Sequence, residues 1–185
     1  MAGTAPLSYS AFTVDVAATH PEKFMKKLAA VLALTTLACA AQAQAVRTER
    51  NMSLELANQL AGAAVAACTA GGHNVTATVV DRAGTVRAVH RADNAGPHTL
   101  EASRLKAYTS ASAKNNTLAI MEIAQKNPAA ANLGSIPGYL LLGGGVPVRV
   151  GNDVIGAVGI GGAPAGQIDE QCALAAIDKV KDQLK

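Results

Sequence analysis

Asn74-Val75-Thr76-Ala77-Thr78-Val79-Val80-Asp81, then Arg82-Ala83-Gly84, then Thr85-Val86-Arg87-Ala88-Val89-His90-Arg91: this stretch decides the fold class. Both runs alternate and are rich in β-branched residues, and the Asp-x-x-Gly link between them reads as a β-hairpin. In the second run Val86, Ala88 and His90 share one face, opposite Thr85, Arg87, Val89 and Arg91. His90 thus sits among apolar residues and reads as a core or hydrogen-bonded histidine rather than a ligand.

On either side the period turns helical. Met52 to Ala70 is Ala-rich, puts Ala57, Leu60, Ala61, Ala64, Val65 and Cys68 on one face, and ends at Gly71-Gly72. Asp93 to Ser112 opens with turn residues and Pro97 before running on as a helix. At about 100° per residue, His98, Ala102, Leu105 and Thr109 fall on one stripe, with Glu101 and Ser112 at its edge. A stripe that served only packing would be apolar. This one carries an imidazole, a carboxylate and two hydroxyls, so it is the first candidate for a site.

Lys114-Asn115-Asn116 breaks that helix, and Thr117 to Lys126 forms a shorter one with Leu118, Met121 and Ile123 as packing residues. Residues 129–138 read as a loop. Tyr139–Leu142, Val146–Val150 and Asp153–Ile160 then read as three strands of a meander, separated by Gly143-Gly144-Gly145 and Gly151-Asn152. Pro147 favours an edge or an irregularity, and Gly156 and Gly159 point to close backbone approach or a bend. A last helix starts near Gln167 with Cys172, Ala173, Ala176, Ile177, Val180 and Leu184 as its buried stripe, and with Asp169 and Glu170 against its N-terminal dipole. The expectation is an α+β domain in the order α-ββ-αα-βββ-α, a mostly antiparallel five-stranded sheet covered by helices.

The chain has 185 residues and a formal net charge of +3. Met25-Lys26-Lys27, the apolar run Leu28–Ala38 and the Ala-x-Ala pairs at Ala41–Ala45 have the layout of a secretory signal peptide over residues 25–45. The run is too short to span a membrane, which takes about 20 residues. Residues 1–24 then read as an extension ahead of a true start at Met25, and residues 46–185 as the domain, periplasmic or secreted. Cys39 raises lipidation, but Thr36 stands where a lipobox wants Leu. Cys68 and Cys172 remain in the domain, where a disulfide and two buried free thiols are both open. With no Trp, 2 Phe and no basic run, the chain lacks the features of a nucleic-acid binder.

Several chemistries are excluded by motif. There is no G-x-S-x-G, H-E-x-x-H or C-x-x-C, and the absence of C-x-x-C-H excludes covalent c-type haem. The run Gly156–Pro164 lacks a Gly-Lys-Ser/Thr ending, so it reads as turns, though its amides ahead of a helix could receive a carboxylate. His73 with Asp81, or His98 with Glu101, could form acid–base pairs of low specificity.

In sequence order, Val79–Gly84, Gly96-Pro97, Glu101–Thr109, Ile136-Pro137-Gly138, Gly143–Val148 and Gly159–Glu170 resemble the GlcG/HbpS-like haem-binding family, also called haem-degrading, over nearly the whole domain. The resemblance implies a helix-covered antiparallel sheet, higher-order homo-oligomers, and non-covalent haem in some members. Its haem contact is similar to Lys106-Ala107-Tyr108-Thr109, which would make the Thr109 hydroxyl a weak oxygen ligand or a polar contact to iron. His98 departs from the polar residue usual after Gly-Pro and offers a stronger donor. The two lie about 16 Å apart along a helix rising about 1.5 Å per residue, so one iron takes both only across an oligomer interface.

The leading expectation is therefore an exported haem-binding protein that stores, senses or buffers haem at a shallow or interface site. Lys106 and Arg104 would meet propionates, Tyr108 and Leu105 the ring, and Thr109 or His98 the iron. A small organic acid at the Gly161–Gly166 helix entrance is the alternative partner. An enzyme, haem-degrading or acting on a small carbonyl compound with His98 and Glu101 as acid and base, is the third reading. Solvated charges pairing at i,i+3 or i,i+4 explain Glu101, Arg104 and Lys106 without any ligand.

Overall fold

The computed structural model describes residues 46–185, so the expected extension and signal peptide lie outside the described residues. The elements are α1 (Leu54–Ala70), β1 (Thr76–Asp81), β2 (Val86–Arg91), α2 (His98–Ala113), α3 (Thr117–Lys126), a 3-10 segment (Pro128–Ser135), β3 (Gly145–Val150), β4 (Asp153–Gly161), α4 (Gly166–Lys179) and a short 3-10 turn (Lys181–Gln183). The α+β class holds, with every strand pair antiparallel.

The sheet has four strands in the order β2-β1-β4-β3, not the expected five. Tyr139–Leu142 is apolar enough for a strand, but its backbone bonds to helix side chains. The Leu140 N–H donates to Thr109 Oγ1 at 2.9 Å, and the Leu142 carbonyl accepts from Thr117 Oγ1 at 2.7 Å. Pro147 lies in edge strand β3, where its missing N–H costs no ladder bond. The loop expected over 129–138 contains the 3-10 segment, started by Asn127 Oδ1 accepting from the Ala129 N–H at 3.0 Å.

The β1–β2 hairpin forms as expected. Asp81 turns the chain: its Oδ1 accepts from the N–H groups of Ala83 (2.9 Å) and Thr85 (3.0 Å), and Gly84 takes φ +82°. That commits Asp81 Oδ1 to the turn, at the far end of β1 from His73, which precedes the strand. His90 is half-buried with its ring 3.5 Å from the position a Cβ would take on Gly62 of α1, a packing role.

The two faces of the sheet are covered differently. Against α1 and α4 lies an apolar cluster that includes Leu60, Ala64, Val79, Val158, Ile160 and Ala173. Cys68 of α1 and Cys172 of α4 are joined by a disulfide with a Cα–Cα distance of 5.4 Å, which resolves the open choice between bridge and free thiols. Against α2 the contact is small and polar. A Cβ on Gly159 would lie 2.1 Å from the Ser103 carbonyl oxygen, and one on Gly145 2.3 Å from that of Lys106, so only glycine admits the helix here. Thr76 meets Thr99 at 2.6 Å and Thr78 meets Ser103 at 2.7 Å, hydroxyl to hydroxyl.

Lys106 clamps the layers together. It is 2% exposed; its Nζ donates to Asp169 Oδ2 at 2.7 Å and to the Ile160 carbonyl at 2.9 Å. Asp169 Oδ1 accepts from the Ala163 N–H at 3.1 Å. Burial pushes the Asp169 carboxyl above its ordinary range, against the pull of Lys106 and the Ala163 N–H.

Lys106→Met should cost about 3–5 kcal/mol, since it leaves a buried carboxylate without its counter-charge, and Lys106→Met with Asp169→Leu should recover most of the loss. Chemical denaturation of the three proteins measures both. Without Lys106 the raised carboxyl pKa rises further, so the single variant's deficit should shrink as pH falls from neutral to mildly acid. Removing the bridge with Cys172→Ser should cost about 2–5 kcal/mol, read as a lower thermal midpoint under non-reducing conditions.

Candidate functional site

Helix α2 is polar on both sides, which divides the residues expected at the site into two groups. The stripe His98, Glu101, Leu105 and Ser112 points away from the sheet: His98, Glu101 and Ser112 are exposed and Leu105 half-buried. The stripe against the sheet is Thr99, Ser103, Ala107 and Ser110, all buried.

His98 opens the helix one residue after Pro97, with its ring over Gly96, where a Cβ would come within 2.7 Å of the imidazole Cε1. The imidazole is open to solvent and available to a ligand or metal. One turn on, Arg104 forks onto Glu101, Nε to Oε2 at 2.8 Å and a terminal nitrogen to Oε1 at 2.7 Å. The hydrogen bond from Arg104 holds the Glu101 carboxyl below its ordinary range. A carboxylate already engaged in a bidentate pair is a poor general base, and its partner cation must turn from it to meet an incoming propionate.

Tyr108 is half-buried over two glycines; a Cβ on Gly84 would be 2.7 Å from its ring and one on Gly138 3.2 Å away. Tyr139 packs edge-on against it, ring centres 6.4 Å apart at 76°, and its hydroxyl lies 2.9 Å from Ser112 Oγ. The result is a surface with an imidazole at one end, a guanidinium–carboxylate pair in the middle and two phenol rings at the other.

The structure moves two expected site residues off this surface. Lys106 faces the opposite way, into its pair with Asp169, and cannot reach a propionate on the outer face. Thr109 is fully buried, with Leu140 bonded over its hydroxyl. At the expected organic-acid entrance, Gly161–Gly166, the Ala163 amide donates to Asp169, and Gly143 packs on Gly166, where a Cβ would come within 2.9 Å. Among the described residues no three His, Cys, Asp or Glu side chains gather as a metal site. An iron atom here would depend on a ring of its own and on single donors such as His98.

Tyr139 and Thr117 were not expected at the site. Tyr139 reads as a strand residue until Ser112 is placed beside it. Thr117 looks like a helix start, yet its hydroxyl also accepts from the Gly145 N–H at 2.8 Å and anchors the loop below the site.

Comparison with known proteins identifies the family. No curated protein sequence matches. Among solved structures, HbpS is 34% identical, covering 76% of this chain and 97% of its own, with a TM-score of 0.70. The Klebsiella pneumoniae protein ORFY is 28% identical over 75% of this chain and 96% of its own, with a TM-score of 0.70. A PduOC–haem complex is 27% identical over 69% of this chain and 94% of its own, with a TM-score of 0.64. Residues 52–178 match the family described as haem degrading protein HbpS-like. With most of the domain inside that match and a TM-score of 0.70 to HbpS itself, the chain belongs to the HbpS-like family.

Proposed function

We propose that this chain is an exported haem-binding protein that takes haem non-covalently on the outward face of α2 and stores, senses or buffers it within a homo-oligomer. One observation carries the reading: a protein of the same fold, 27% identical over 69% of this chain, is solved as a haem complex. The surface has the parts such a ligand needs. His98 supplies an imidazole for iron, Leu105 and the Tyr108–Tyr139 pair supply apolar faces for the ring, and Arg104 supplies a cation for a propionate. The site is open, so the ring would keep one side exposed or lie against another copy. The Cys68–Cys172 bridge suits an oxidising space and supports export.

The family's description as haem-degrading supports a second reading, turnover of the bound ring with His98 and Glu101 as acid and base. The Glu101–Arg104 pair weighs against it, since the carboxylate is already engaged.

Haemin titration of the purified protein should give a red-shifted Soret band. His98→Ala should move that band and weaken binding by about tenfold or more, the scale of one lost iron ligand or charged contact. Thr109→Val should leave the band in place, because the hydroxyl faces Leu140. No Soret shift up to tens of micromolar haemin would sink the proposal. Bleaching of the band with reductant, lost in His98→Ala, would favour turnover.

A further inference from the structure

On the side of the sheet away from α2, a surface cavity of about 340 Å³ opens between the end of α1 and the first turns of α4. That volume lies at the small end of the range for small-molecule sites, roughly 300–1,000 Å³. Ala67, Ile168 and Ala175 give it apolar walls, and Gln171 contributes an exposed amide. Both cysteines of the Cys68–Cys172 disulfide line it, and so does His73. A bridge that only staples two helices needs neither an opening to solvent nor an imidazole beside it.

The end of α1 puts the imidazole there. The Cys68 carbonyl accepts from the N–H groups of Gly71 and His73, each at 3.0 Å, and Gly72 takes φ +80°. The chain thus folds back over the last turn of the helix and leaves His73 beside the cysteine. The ring is half-buried and makes no hydrogen bond among the described residues, so its nitrogens are free to exchange protons. It also reaches α4: burial raises the Asp169 carboxyl, and the charge of His73 acts against that rise. Cys172 follows Asp169 by one turn and keeps 7% of its surface open, whereas Cys68 keeps none. Cys68 lies in the last turn of α1, where the negative end of the helix dipole disfavours a thiolate. A sulfur leaving at that position needs a proton donor, and among the side chains lining the cavity His73 is the one that can supply it.

We infer that this cavity is a modification site, at which a low-molecular-weight thiol opens the Cys68–Cys172 bridge and stays on Cys172 as a mixed disulfide. The neutral His73 ring takes the proton of the incoming thiol, and the thiolate attacks Sγ of Cys172, the more open of the two cysteines. A bond forms between the incoming sulfur and Cys172 Sγ as the bond to Cys68 Sγ breaks. Cys68 Sγ keeps the electron pair and receives the proton from His73, which ends the step neutral. One thiol and one disulfide enter and one of each leaves, so no further oxidant or reductant takes part. The reaction would free α1 from α4 at their covalent link. It lies across the sheet from the outer face of α2 and is independent of haem binding there.

Reduced glutathione in excess, added to the oxidised full chain without denaturant, tests the site. Samples are quenched in acid, their free thiols are trapped with a maleimide, and both cysteines are mapped by mass spectrometry. Glutathione should appear on Cys172 and the trap on Cys68, at a rate proportional to glutathione and unchanged by urea below the unfolding transition. His73→Gln should slow opening of the native bridge about tenfold or more. The same variant should react at the wild-type rate when unfolded in guanidinium, where the ring has no fixed place, and should keep the wild-type thermal midpoint. A bridge that stays closed in the native protein while the unfolded chain reacts would overturn the inference. So would glutathione on Cys68, opening that accelerates with urea below the transition, or an equal native rate in His73→Gln. The haemin titration reads the other face of the sheet, and neither result decides the other.

Discussion

The buried pair between Lys106 and Asp169 is the interaction on which the other contacts depend. It joins the middle of α2, the end of β4 through the Ile160 carbonyl, and the first turn of α4. Gly144 closes over it: a Cβ there would lie 2.7 Å from the Asp169 Cβ and 3.1 Å from Lys106 Nζ. Two charges taken out of water cost several kcal/mol each, and their attraction offsets this only with good geometry and further hydrogen bonds. Both are present here. The pair adds little net stability over an apolar substitute of the same shape. What it contributes is position, because an ammonium in this interior has no other carboxylate to approach among its described partners.

Position matters because α2 lies so close to the sheet. Bare glycine on β4 and β3 lets the helix backbone come down to van der Waals contact, and the hydroxyls of Thr99 and Ser103 find partners in Thr76 and Thr78. Such an interface has little apolar area to hold it in register. Its specificity rests on directional bonds, each worth about 0.5–1.5 kcal/mol, and on the absence of methyl groups. The opposite face works differently. There a conventional aliphatic cluster and the disulfide hold α1 and α4. The stiff side supports the sheet, and the polar side presents the candidate site.

The hairpin is legible in the sequence because alternation and Asp-x-x-Gly turn chemistry agree, and the helix ends because Pro97, Lys114 and Gly71-Gly72 punctuate them. The inner face of α2 is not legible. A reader of helical phase looks for an apolar stripe, and Thr99, Ser103, Lys106 and Ser110 look like a solvent face; only the glycines of the strand opposite explain them. Asp169 is partly legible, since it precedes Cys172, Ala173 and Ala176 at helical spacing and so shares the buried stripe. Reading it as a dipole partner alone misses that register. Tyr139–Leu142 misleads for another reason: its composition suits a strand, but pairing depends on a neighbour that composition does not reveal. Of the site, His98, Glu101, Arg104 and Tyr108 are placed at or near the surface, while Lys106 and Thr109 are not.

Those last two are withdrawn from the surface to very different degrees. Bringing Lys106 out would break a buried ion pair and strand Asp169, a loss of about 3–5 kcal/mol that also unpins α4. Exposing the Thr109 hydroxyl requires only that Leu140 be lifted, breaking one neutral hydrogen bond of about 0.5–1.5 kcal/mol and uncovering a side chain already half exposed. Withdrawing Lys106 would unfold the clamp, whereas the hydrogen bond that covers Thr109 is a local one. The asymmetry follows from burial and charge alone: a hydroxyl can exchange one partner for another, whereas an ammonium in a low-dielectric interior stays with its carboxylate.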